Sequence, residues 1–120
     1  MSGHRVLHDA AKAVFTIPDP GASGTLHIDR HDAIVELVSA AAGETRTLLD
    51  PRRAGLRCTI RMKTDGGGDI VMTAANGLNV AGNTQATFAD VGDQLELIAV
   101  SHTTGYRWEI LVNTGAVALA

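Results

Sequence analysis

The chain has 120 residues and a mass of 12.5 kDa, the size of one domain able to bury roughly two-thirds of its unfolded surface. Hydrophobic residues make up 45% but aromatic ones only 3%, so a core must be built almost entirely from Ala, Val, Leu and Ile. Ten Lys and Arg against thirteen Asp and Glu give a net charge of −3, and with no strongly basic stretch there is no electrostatic footprint for a nucleic-acid partner.

The first residues, MSGHRVLHDAAKAV, lack the apolar run of a signal peptide, and no stretch approaches the ~18 apolar residues of a membrane span. The expectation is a soluble product of a cytoplasm with no membrane partner. Residues 6–14 and the alanine-rich residues 39–42 are the two helix candidates, both marginal at that length. Residues 1–13 show no strand alternation and precede a proline turn at residues 18–24 (PDPGASG). They are read as an N-terminal arm, leaving 14–120 as the β domain.

His27, Asp29 and His31 follow at i, i+2 and i+4. In an extended segment they would share one face and could hold a divalent ion, although a solvated polar stretch has the same pattern. Residues 33–38 (AIVELV) read as a strand. The clearest signal is residues 56–63, where Leu56, Cys58, Ile60 and Met62 alternate with Arg57, Thr59, Arg61 and Lys63, a strand with one buried and one wet face. Cys58, the only cysteine, excludes an internal disulfide and a Cys-based zinc cage, and on that buried face it reads as a small hydrophobe.

Gly66, Gly67 and Gly68 precede a β-branched strand (DIVMT, residues 69–73) rather than a helix, so a hairpin turn explains them better than a phosphate loop. Residues 94–100 (QLELIAV) and 106–112 (YRWEILV) are strands with apolar residues on both faces. Either they are central in a sandwich or barrel, or a second subunit covers one face. Turn signals at about ten-residue spacing complete an all-β pattern. The expected fold is a small sandwich or barrel-like domain of short antiparallel strands.

Catalytic constellations are weak. Ser101 and His102 are adjacent and would point to opposite faces of a strand, and no serine has the glycine context of a nucleophile elbow. Glu96 and Glu109 would be a carboxylate pair only if their strands were neighbours. Tyr106 and Trp108 share a face that could stack on a sugar, but a chain with so few aromatics needs them for packing. Tyr106, Trp108, Ile110 and Leu111 are therefore assigned to the core or a subunit contact. Arg57 and Arg61, with Lys63, share the wet face of a strand, a basic row that reads as a solvated face or as one turned to an acidic partner. No cofactor, metal or enzymatic activity is expected.

Three segments carry a resemblance. TLLDPRRAGLRCTIRM, from Thr47 to Met62, resembles the "LP-x-P-x-AG-L-x-F" signature of small tailed-phage virion proteins, with Asp50 and Cys58 in place of a small residue and an aromatic. Asn83, Thr84, Thr87 and Phe88 match an NTxxTF-like strand, followed by Val91, Gly92, Asp93, Leu95 and Leu97 for "VGD-x-L-x-L". Trp108, Ile110 and Gly115 match a closing "W-x-V-x-x-x-G" strand. The resemblance covers residues 24–119 and looks most like a bacteriophage head decoration (cement) protein. It implies a homotrimer on the capsid surface of the virion that binds the major capsid protein and stabilises the assembled head lattice. On that reading the arm, through Arg5, Val6 and Leu7, joins Arg57 and Arg61 in contacting the capsid. The alternative is a tail-associated or fibre-tip β module that binds a receptor or glycan.

Overall fold

A computed structural model of the chain describes residues 15–120. Arg5, Val6, Leu7 and the helix candidate at residues 6–14 lie outside the described residues. The rest is all-β, in chain order β1 (Thr16–Pro18), β2 (Gly24–Leu26), β3 (Ala33–Val38), β4 (Glu44–Leu48), β5 (Arg57–Thr64), β6 (Ile70–Thr73), β7 (Gln85–Phe88), β8 (Gln94–His102), β9 (Gly105–Thr114) and β10 (Ala118–Leu119). The second helix candidate, residues 39–42, is a loop between β3 and β4.

The strands form two five-stranded sheets, β1-β3-β5-β8-β9 and β10-β7-β6-β4-β2. Neither closes into a barrel, and inward-facing residues from both make one core, so the architecture is a sandwich. The expectation of antiparallel strands is corrected. Four pairings, β1 with β3, β3 with β5, β2 with β4 and β4 with β6, are parallel, and the other four are antiparallel. Parallel neighbours need a crossover connection between them, usually a helix. Here the crossover is a strand of the opposite sheet, because β1 to β6 alternate between the two sheets.

The alternation read from residues 56–63 holds in β5, where Cys58, Ile60 and Met62 are buried and Arg57 and Lys63 are exposed. Trp108 of β9 and Phe88 of β7 are fully buried and are the two aromatic side chains of a core otherwise made of aliphatic and small residues such as Ala33, Ala86 and Ala99. The Trp108 indole N–H donates to the Leu49 carbonyl at 2.9 Å, tying the first sheet to the end of β4 in the second.

A buried ionic clasp joins the sheets at another point. Arg46, on the inner face of β4, donates to both carboxylate oxygens of Asp19, through Nε at 2.7 Å and Nη2 at 2.8 Å, and to Glu44 at 2.8 Å. Its remaining bonds go to the Thr45 and Val38 carbonyls. Asp19 follows β1 and also accepts the N–H groups of Gly21 and Val38, so one carboxylate closes the proline turn and pins β3. Burial alone would raise the Asp19 carboxyl. The hydrogen bond from Arg46, those from Val38 and Gly21, and the Arg46 charge outweigh it and hold the group below its ordinary value.

The three consecutive glycines do not form a hairpin turn, since β5 and β6 belong to different sheets. They pack backbone against backbone on the loop after β3. A Cβ at Gly66 would run into the Ser39 carbonyl oxygen, and one at Gly68 into that of Ala42. Close approach requires glycine at Gly66 and Gly68, and a φ of +114° favours it at Gly67.

Candidate functional site

Strand alternation sends every second residue of the first sheet outward, and the strand registers align those residues into rows. One row runs Ile34, Thr59, Glu96, Val112 across β3, β5, β8 and β9. The next places Arg57 opposite Ile98 and Ile98 opposite Glu109. On the other side Glu36 lies beside Arg61, and Arg61 beside Gln94. A register shift where β9 passes Glu96 and Leu97 inserts Leu111 as an extra residue, and Leu111 and Val112 are both exposed.

A hollow of about 210 Å³ opens on this face, lined by Asp32, Ile34, Arg57, Thr59, Glu96 and Leu111 and floored by Cys58 and Leu97. Its lining mixes the aliphatic Ile34 and Leu111 with the charged Asp32, Arg57 and Glu96. Lys63 reaches Glu36 at 3.7 Å and Arg107 reaches Glu109 at 3.2 Å. Arg57, Arg61 and Glu96 have no opposite charge within 4.0 Å among the described residues. The Nε atoms of Arg61 and Arg107 are covered by protein yet reach no acceptor. Several guanidinium donors on this face are therefore unspent.

The residues selected from sequence fall into two groups. Arg57 and Arg61 stand together on the outer face of β5 with Leu111 nearby. Trp108 is in the core, and Tyr106 and Ile110 are half-buried beside it on β9. With its ring enclosed and its N–H committed to Leu49, Trp108 is no stacking platform for a sugar. Cys58 is buried, and desolvation pushes its thiol up to about 12, far from a reactive thiolate.

His27, Asp29 and His31 do not share a strand face, because β2 ends at Leu26 and the chain turns at residues 31–32. Among the described residues no group of three or more His, Cys, Asp or Glu side chains is placed to share a metal ion. Glu96 and Glu109 are on neighbouring strands, but Glu109 accepts from Arg107 and sits one row away from Glu96. His102 interacts with Thr104 at 3.1 Å within the β8–β9 turn and has no contact with Ser101.

Sequence reasoning missed Asp32 and Ile34 at the hollow and the whole Asp19–Arg46–Glu44 clasp. The signal for the clasp was present. In ETRTL (residues 44–48) the alternation that sends Leu48 inward also sends Arg46 inward, and a buried arginine demands carboxylates.

Two of the segments that carry the resemblance include connections between strands. Pro51 is buried in the connection from β4 to β5, and Val91, Gly92 and Asp93 form the turn into β8. The buried Asp93 carboxylate closes that turn by accepting the N–H groups of Ala89 and Asp90. A Cβ at Gly115 would collide with this same carboxylate. No family model matches the chain, and a comparison with curated proteins finds no match.

Proposed function

We propose that the chain is a structural component of a tailed-phage virion, a trimeric head decoration protein that binds the assembled capsid lattice and stabilises it without catalysis. The observation that carries this reading is that the resembling segments meet one another. Trp108, from the closing motif, donates to Leu49 in the TLLDP segment, 59 residues away in the chain. Asp93 of the VGD motif packs against Gly115 of the closing motif. These contacts join the segments of the resemblance within one fold, and that supports the reading.

The outer face of the first sheet fits the trimeric part of that role. It presents Arg57 and Arg61 without ionic partners within 4.0 Å among the described residues, beside a hollow of mixed aliphatic and charged lining, a mixture suited to protein contact. A decoration protein acts by mass action, since a ligand that binds only the assembled shell stabilises it by RT ln(1 + [L]/Kd) per site. Several weak contacts per trimer multiply into avidity.

The test is to image the particle that carries the protein. Density at regular positions on the head lattice, and heads that lose heat resistance when the protein is stripped off, are the expected results. Density confined to the tail would overturn the head assignment.

A further inference from the structure

The outer faces of the two sheets differ sharply. On the second sheet the central outward positions are Thr25, Thr45, Thr47, Val71, Thr73 and Thr87, without a charge. That face offers a second copy no charge to pair with at these positions. The first sheet carries a hollow, two large exposed aliphatic residues at its β9 side, and charges in columns. The β5 column is basic, with Arg57, Arg61 and Lys63, whereas β8 carries Glu96 and β9 carries Glu109 paired with Arg107 at 3.2 Å.

We propose that this face joins copies of the chain, with the β5 half of one copy receiving the β8–β9 half of a second. Leu111 and Val112 of one copy then cover the hollow beside Ile34 of the next, and Glu96 of the first meets Arg57 and Arg61 of its neighbour. The inference rests on the trimeric reading above and names its contact surface.

Charge balance selects this occupant. With Asp32 at the rim, the face holds four carboxylates (Asp32, Glu36, Glu96, Glu109) against four cations (Arg57, Arg61, Lys63, Arg107). A uniformly acidic partner would meet as many carboxylates as guanidinium groups. A second copy shifted across the strands sets Glu96 over Arg57 and Arg61, three charges that have no opposite charge within 4.0 Å among the described residues. Paired reciprocally about a two-fold axis the two halves would make a dimer, whereas repeating the contact head to tail closes a ring, and the trimeric reading selects the ring. In a ring of three, every copy uses both halves, and the three faces turn inward around the axis.

The experiment uses the full chain and light scattering after size-exclusion chromatography. The wild type is expected at three times 12.5 kDa. Leu111→Asp is expected at the single-chain mass with an unchanged circular dichroism spectrum, because Leu111 is 47% exposed. Arg57→Glu and Glu96→Arg should each weaken assembly roughly tenfold or more, and the double reversal should restore it. High salt should weaken the wild type in the same direction. A wild type at the single-chain mass, or a Leu111→Asp variant that stays assembled, would overturn the surface. The head assignment fails independently, if a protein that assembles through this face is absent from the head lattice.

Discussion

Replacing Arg46 by Met tests the internal clasp, because Met fills a similar volume without charge or donors. Arg46 has no exposed side-chain surface and Asp19 only 8%. The substitution therefore leaves Asp19 and Glu44 facing each other in a poorly solvated site. Five hydrogen bonds disappear, three of them to carboxylates at 2.7–2.8 Å. Breaking a buried pair by removing one partner costs about 3–5 kcal/mol. For a domain of this size about 1 kcal/mol corresponds to roughly 4 °C, so Tm should fall by roughly 12–20 °C. Urea unfolding should give the same loss with an unchanged slope.

The pH dependence carries a sign. The Asp19 carboxyl is held below its ordinary 3.8 in the folded protein, so its contribution is present in full above that value and is lost as the pH falls through the lower folded value. In Arg46→Met the carboxylates gain from protonation, and the gap between the two proteins should narrow in acid. Adding Asp19→Asn to Arg46→Met should cost much less than the sum of the two single changes. A loss below about 1 kcal/mol at neutral pH, the worth of an exposed pair, would refute the clasp.

Two further predictions concern packing. Trp108→Ala should cost about 3–5 kcal/mol as a cavity in the core, while Trp108→Phe should lose less and report mainly the indole bond to Leu49; chemical denaturation measures both, and a Trp108→Phe variant as stable as the wild type would contradict that bond's role. Gly68→Ala should be much more destabilising than Gly82→Ala. The former drives a Cβ into the Ala42 carbonyl, and the latter faces open space at φ +89°, with a penalty of about 1–2 kcal/mol for the left-handed backbone.

What the sequence made legible follows from where side-chain chemistry agrees with position. In β5, apolar and polar residues alternate without exception, and its two faces could be assigned directly. β3, β6, β8 and β9 announced themselves through β-branched and leucine-rich runs. β4 stayed hidden because Arg46 occupies a core position and makes a half-buried strand look polar throughout. β1, β2 and β10, of two or three residues each, are too short for any period to show. The parallel pairings were invisible for a different reason. Hydrophobic alternation fixes which face of a strand is buried but says nothing about which sheet it joins. At the candidate site Arg57 and Arg61 could be read from periodicity, whereas Asp32 and Ile34 reach the hollow only through the pairing of β3 with β5.

The scarcity of aromatics suggests a core that must be completed by another subunit, but the packing argues otherwise. Two large rings, Trp108 and Phe88, are fully enclosed, and alanines at Ala33, Ala74, Ala86 and Ala99 fit between them. Ten short strands let many small side chains share the interior, with Met62 and Met72 adapting to what remains. The core is therefore satisfied within one chain. Leu111 and Val112 lie outside it, brought outward by the register shift in β9 rather than left over from deficient packing. That separation is what lets a charge at Leu111 report on association alone. If a second copy completed the core instead, the same substitution would lower Tm along with the mass.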